Sequence, residues 1–445
     1  MAADIRNYTI VTSAYWGFTL TDGALRMLIL LHFHTLGYTP FELAMLFLLY
    51  EFMGIVTNLL GGWIGARFGL KLTLYSGLIL QIVALTMLSL LDSAWPKYMS
   101  ALYVLGAQGL SGIAKDLTKM SSKSAIKLVV AGDQHSKLFH WVALLTGSKN
   151  ALKGVGFFLG ALLLTSLGFA QALWLMAACL AVILLASIIF LPSAMGIAKR
   201  KVEISQILSK SKAINMLSIS RVFLFGARDV WFVVGLPVFL YDVLDWTFTE
   251  VGMFMALWVI AYGFVQSLAP KLIRAPDDGD GRTSEIRAAQ IWVFGLAVVT
   301  AGIAVALIAI AQKAQFNLTQ LDLTQLGPAS KDWMTWTLIA GLGIFGFFFA
   351  VNSSVHSYLI LALTNKDQVA LNVGFYYMAN AAGRLLGTLL SGIAYQMGGL
   401  IACLATAALM LVLSGIFTVA LGFVAQRETL AEVDADTALQ KTEGA

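Results

Sequence analysis

Gly62-Trp63-Ile64-Gly65-Ala66-Arg67-Phe68-Gly69-Leu70-Lys71 joins two apolar runs, near 41–65 and 71–91. Each run is long enough to cross the roughly 30 Å hydrocarbon core of a bilayer as a helix. The joint is rich in glycine and carries Arg67 and Lys71, the composition of a tight cytoplasmic turn between two membrane helices. Outward from this pair, comparable runs fall near 9–36, 98–118, 138–167, 170–192, 213–240, 249–270, 288–312, 333–361, 372–396 and 399–425. The sequence therefore predicts twelve membrane-spanning helices, those near 98–118 and 213–240 being the most polar.

The whole chain agrees with that reading. Its 445 residues are 59% apolar and 12% charged, with a mean hydropathy of +0.82. Such a composition excludes a soluble domain. The first apolar run is too long for a signal peptide and reads as a retained span. The net charge of +5 is scattered over short loops, which gives no nucleic-acid signature. Cys179 and Cys403 each lie in an apolar run, so neither a disulfide nor a thiol metal site is expected. No P-loop, Gly-x-Ser-x-Gly or Cys-x-x-Cys pattern occurs, and the expectation is a non-enzyme with no cofactor and no ATP drive.

Lys and Arg placement sets the orientation. With the N-terminus inside, nineteen basic residues fall in cytoplasmic segments, whereas only Lys97, Lys313 and Lys331 fall outside. Both termini are therefore expected in the cytoplasm of a cell whose plasma (inner) membrane holds the chain.

The chain also repeats itself. Tyr38-Thr39-Pro40-Phe41-Glu42 opens the second span and Trp246-Thr247-Phe248-Thr249-Glu250 the eighth. Asp22 falls opposite Asp229, Asn150 and Gly156 opposite Asn380 and Gly387, and Asp133-Gln134 opposite Asp367-Gln368. This divides the chain into a six-helix bundle over 1–192, a basic linker over 193–212, a second bundle over 213–425 and a frayed or disordered tail over 426–445. Transporters built from two such repeats bind substrate between the halves.

Charges inside the spans narrow the chemistry. Arg26, Lys115, Lys149, Lys153, Arg221, Arg228 and Arg384 are basic, against the acids Asp22, Glu51, Asp116 and Asp229. A cation at the bilayer centre costs about 2.5–3.5 kcal/mol, so these groups must pair or line a wet cavity. Seven bases less four acids leave three positive charges, which points to an anion held inside the membrane. Lys149 and Lys153 are one turn apart and lie about 18–24 Å past the inner end of their span. They need an anion between them or a structural partner among Asp22, Glu51 and Asp116. Asp22 and Arg26 are also one turn apart, and the plain reading is an ion pair within the helix. Arg221 and Arg228 share a face, and arginine can grip phosphate or carboxylate oxygens with both arms. Lys119, Lys123 and Lys127 read as the basic flank of their span, Lys115 lying a turn deeper. His356, beside Asn352, Ser353 and Ser357, is a candidate substrate contact, as is Asn150, whereas His32 and His34 read as interfacial.

Set in this frame, the Gly62–Lys71 joint resembles the loop motif of the major facilitator superfamily, with Ala66 where an Asp is usual and Leu70 where an Arg is usual. Four further stretches are more specific: Tyr15-Trp16-Gly17-Phe18-Thr19-Leu20-Thr21-Asp22-Gly23-Ala24-Leu25-Arg26, Gly112-Ile113-Ala114-Lys115-Asp116-Leu117, Thr146-Gly147-Ser148-Lys149-Asn150-Ala151-Leu152-Lys153-Gly154 and Leu224-Phe225-Gly226-Ala227-Arg228-Asp229-Val230-Trp231. They resemble the ArsJ family of organoarsenical efflux permeases within that superfamily. The resemblance implies export of 1-arseno-3-phosphoglycerate, a product that a partner glyceraldehyde-3-phosphate dehydrogenase makes when arsenate replaces phosphate. It supplies no site residues, which rest on the charge argument. A substrate of about three negative charges suits that surplus. It would also gain about 7 kcal/mol per 100 mV on leaving an inside-negative cell, at about 2.3 kcal/mol per charge. Proton antiport through Asp22, Glu51 or Asp229 is the other possible drive. The competing expectations are a carrier of another organic phosphate or carboxylate, and a non-transporting membrane sensor or lipid enzyme. A monomer is expected.

Overall fold

The structure is a computed structural model that describes residues 2–92, 94–129, 135–192, 211–272, 281–313, 326–364 and 369–443. The linker over 193–210, Asp133-Gln134, Asp367-Gln368 and the side chains of residues 61–68, Lys123, Lys127 and Lys137 lie outside the described residues. Among the described residues eleven α-helices follow in order: α1 (Ala2–Thr35), α2 (Pro40–Ser89), α3 (Lys97–Val129), α4 (His135–Leu167), α5 (Phe169–Phe190), α6 (Lys212–Val230), α7 (Leu236–Asp242), α8 (Phe248–Leu272), α9 (Gly281–Lys313), α10 (Pro328–Ala362) and α11 (Val369–Glu443).

These elements make twelve crossings. Helix α2 turns back at Gly69, whose φ of 73° belongs to glycine, and so supplies two spans. Helix α11 does the same at Gly398-Gly399, where Gly399 has φ 60°. Helices α6 and α7 form one span through a π-helical turn, Trp231–Gly235. Pro237 just beyond has no N–H to give, which disturbs the ladder there. The Ser391 hydroxyl accepts from the amides of Val234 and Gly235, both at 3.2 Å. By length and apolarity, nine helical stretches among the described residues can cross a membrane, Asn372–Arg427 holding two crossings. Helices α1 and α3 fall outside that set; they carry Asp22, Arg26, Lys115, Asp116 and Lys119. The tail, expected to fray, continues as helix to Glu443.

The repeat is visible in atoms. Helix α1 starts at what is here called the near end of the bundle and finishes at the far end. At the far end Thr39 and Glu42 close a capping box on α2, with Thr39 N donating to Glu42 Oε2 at 2.7 Å. Thr247 and Glu250 close the same box on α8, with Thr247 N donating to Glu250 Oε2 at 2.8 Å. The first residue of α3, Lys97, pairs with Glu42 at 2.7 Å, and Lys331 in the first turn of α10 pairs with Asp245.

Within each half one crossing sets the depth of the charged groups. Helices α1 and α4 meet backbone to backbone: a Cβ on Gly156 would stand 2.5 Å from the Leu20 carbonyl, and one on Gly160 2.3 Å from that of Ala24. Helices α6 and α11 meet in the same way, through Gly383 against the Val222 carbonyl (2.3 Å) and Gly387 against that of Gly226 (2.5 Å). The halves themselves join along α2 with α11 and α4 with α8. Gly392 sits against Pro40 and Phe41, Gly252 against Phe157 and Ala161. At the far end His34 of α1 donates to Asp242 of α7 at 2.8 Å.

Candidate anion-binding cavity

Between the halves lies a cavity of about 250 Å³. All seven basic residues singled out in the sequence line it: Arg26, Lys115, Lys149, Lys153, Arg221, Arg228 and Arg384. Asp22, Asp116, Asn150 and Asn380 line it too. Phe157, Phe232 and Trp258 lie on the far side, with ring centroids 6.1 Å apart for Phe157–Phe232 and 5.2 Å for Phe232–Trp258. Trp258 is held by its indole N–H, which donates to the Leu342 carbonyl at 2.8 Å.

Two acids are committed to arginines. Glu51 is fully buried, and its Oε1 accepts from Arg26 and from Arg384, each at 2.5 Å. Arg26 belongs to the first half and Arg384 to the second, so one carboxylate oxygen ties the halves together. Asp229 takes Arg228 at 2.5 Å and lies 3.5 Å from Arg384 Nε. The chain Arg26–Glu51–Arg384–Asp229–Arg228 thus runs across the interface. Neither Glu51 nor Asp229 lines the cavity; they stand behind the arginines that do.

The other two acids serve lysines. Asp22 accepts from the Tyr50 hydroxyl at 2.5 Å and lies 3.9 Å from Lys153 Nζ. The intrahelical Asp22–Arg26 pair expected from the sequence does not form, because Arg26 is drawn to Glu51 on α2. Asp116 accepts from Thr57 at 2.7 Å and pairs with Lys119 at 2.9 Å. Lys115 stands over the Tyr50 ring at 4.0 Å. Among the described residues neither Lys115 nor Arg221 meets a carboxylate.

The repeat reappears in this network. Asp22–Lys153 in the first half matches Asp229–Arg384 in the second, each pair set by its own glycine crossing. The two are not equivalent in use. Arg384 is also held by Glu51, whereas among the described residues Lys153 has the distant Asp22 and, at 5.9 Å, the Phe157 ring.

Three features depart from the sequence reading. Lys119, taken for a basic flank, lines the cavity. Its position one turn from Lys115, on the same helix face, was the available signal. Among the described residues eight basic side chains therefore line the cavity, against Asp22 and Asp116 in its wall and Glu51 and Asp229 behind it, and the formal surplus over these four acids is four rather than three. His356 does not line the cavity; it is fully buried on α10 behind Arg221, and its neighbour Ser357 is the lining residue. Asn58, Gln266 and Tyr377 also line the cavity, and single neutral residues in apolar runs gave no sequence signal. Asn150 donates to Gln266 at 3.1 Å, a bond between the halves.

The arrangement can hold a multiply charged anion in a site of low dielectric, where each charge counts for more than in water. Among the described residues no cluster of metal-ligating side chains is present. None of the curated proteins compared with the chain matches it. A solved structure from work on substrate recognition in proton dependent oligopeptide transporters superposes with a TM-score of 0.66, covering 95% of this chain and 99% of that one at 14% identity. That likeness shows the fold. The family model of the Major Facilitator Superfamily matches residues 10–321, well over half of the chain. The chain belongs to the major facilitator superfamily, and with that membership comes the coarse assignment of a multi-pass secondary transporter.

Proposed function

We propose that this transporter exports 1-arseno-3-phosphoglycerate from the cytoplasm by alternating access and so confers arsenate resistance. The observation that carries the anionic class is the cavity itself: among the described residues eight basic side chains line it, and of the four acids only Asp22 and Asp116 line it beside them. The choice within that class is supported by the four sequence stretches that resemble the ArsJ family. All four contribute side chains to the cavity: Asp22 and Arg26, Lys115 and Asp116, Lys149 and Lys153, and Arg228. Arginine and lysine also suit a pentavalent oxyanion. Trivalent arsenic would call for clustered thiols, and Cys179 is exposed while Cys403 is buried.

In this reading the near end faces the cytoplasm of an inner-membrane protein. Glyceraldehyde-3-phosphate dehydrogenase supplies the substrate. An inside-negative membrane potential favours the exit of a trianion, and proton antiport through Asp22, Glu51 or Asp229 is the alternative drive.

The test is uptake into everted membrane vesicles, with the arsenical generated by glyceraldehyde-3-phosphate dehydrogenase and arsenate. A parallel mix contains phosphate in place of arsenate. Arsenic accumulation that depends on this protein and on arsenate is the expected result. Accumulation of the phosphate product alone would make the chain an exporter of other organic phosphates. No accumulation of either would remove the assignment.

A further inference from the structure

Arg221 is the cavity arginine with a different environment from the other three. Arg26, Arg228 and Arg384 each meet a carboxylate at 2.5 Å. Arg221 meets none among the described residues. Its guanidinium packs over Phe225 at 4.0 Å and Tyr376 at 4.8 Å, and NH1 donates to the Ser353 carbonyl at 3.1 Å. It is 4% exposed, so its charge is taken from water without an acid in return. An uncompensated buried charge costs several kcal/mol and is kept where something else answers it.

The surroundings show what kind of group would answer. Asn352, Ser353 and His356 on α10 are each 0% exposed. Asn352 and His356 are one turn apart and share a helix face, with Ser353 beside them. Arg221 Nε, both amide atoms of Asn352, the Ser353 hydroxyl and both ring nitrogens of His356 are buried with no hydrogen-bond partner. Buried polar atoms are nearly always satisfied, and so many orphans on one helix turn and its neighbouring arginine are exceptional. Arginine, amide, hydroxyl and imidazole N–H are all donors to an oxyanion. Arg221 and Ser357 line the main cavity, and Asn352, Ser353 and His356 are buried next to them without lining it.

We infer that Arg221, Asn352, Ser353 and His356 form an oxyanion subsite in the second half of the protein, which takes the phosphoryl end of an organic phosphate. The inference rests on the anion-carrier reading and deepens it. The cavity becomes a receptor with two unlike ends. Lys115, Lys149 and Lys153 on the first half face the remainder of the substrate, and the Arg221 wall reads its phosphate.

The experiment is isothermal titration of the purified full chain with 3-phosphoglycerate, glycerate and inorganic phosphate. Wild type is expected to bind 3-phosphoglycerate at least about tenfold more tightly than glycerate, a factor of ten being about 1.4 kcal/mol. Arg221→Gln and, separately, His356→Gln bring that ratio close to one by weakening the binding of 3-phosphoglycerate. Arg221→Lys keeps the charge without the fork and gives an intermediate ratio. Variants that elute and unfold like wild type yet keep the full ratio overturn the subsite. So does inorganic phosphate that binds without competing with 3-phosphoglycerate. Competing inorganic phosphate marks a general oxyanion site and upholds the proposal; inorganic phosphate that fails to bind, with the ratio lost in the variants, upholds a site filled only from the cavity. No arsenical is used. A carrier that fails to move the arsenical but shows this ratio loses only its named substrate, and one that moves it while Arg221→Gln keeps the ratio loses only the subsite.

Discussion

At the scale of single residues, two kinds of buried charge divide the work. Glu51 is structural in the first instance: two guanidinium groups converge on one of its oxygens. Removing one partner of a buried pair costs about 3–5 kcal/mol, because the charge left behind has no water. Glu51→Gln should therefore lower the thermal midpoint of the purified protein by several degrees, and an unchanged midpoint would show that the arginines find other partners. Lys153 is the opposite case. Its acid is 3.9 Å away and its ammonium faces the cavity. Lys149→Ala, Lys153→Ala and Arg228→Ala are expected to abolish arsenical efflux with expression retained. Efflux at the wild-type rate in all three would reassign the site and leave the family intact. The basic residues were legible one by one, since a cation in an apolar run is conspicuous. Their partners were not. Arg26 had an acid at i−4 and took one on another helix instead, because tertiary approach of α2 outranks a pair worth a few tenths of a kcal/mol on a helix surface.

At the scale of elements, the two glycine crossings make a matched pair. A β-carbon at Gly156 or Gly387 would stand 2.5 Å from a backbone carbonyl that cannot swing aside. Gly156→Val and Gly387→Val should each part their helices, shift the Asp–base pair that the crossing sets and cut the yield of folded protein to a similar degree. Gly147→Ala meets nothing within 4 Å and serves as the tolerated control, read out by fluorescence-detected gel filtration. The Thr–x–x–Glu openings of spans 2 and 8 were legible as a repeat, and both close as capping boxes. Thr39→Ala and Thr247→Ala should each cost about 1 kcal/mol. The turn at Gly69 was read correctly as a break between spans. The hairpin at Gly398-Gly399 interrupts an otherwise apolar stretch, and only the length of that stretch announced it. The π turn at Trp231–Gly235 had no legible cause beyond Pro237, since its compensation comes from Ser391 on a distant helix.

At the scale of the molecule, the halves are clasped at the far end by His34 and Asp242 and at mid-depth by Glu51. Alternating access requires the far-end clasp to open. Cysteines at 34 and 242, in a Cys179→Ser background, joined by a short cleavable thiol cross-linker, should stop transport, and cleavage should restore it. Transport that continues through the cross-link would mean that the halves do not separate there.

Glu51 has one more consequence, and it concerns the empty carrier. A site lined with cations is costly to carry back through a low-dielectric interior once its cargo has left. By sitting on Arg26 and Arg384, Glu51 is placed to serve an anion carrier as a tethered counter-ion on the unloaded leg. A carrier so equipped can run one way, without waiting for a second anion to ride home. Glu51→Gln should then convert net transport into obligatory exchange. Labelled anion would still swap across proteoliposomes loaded on both sides, while flux into anion-free medium would fall away.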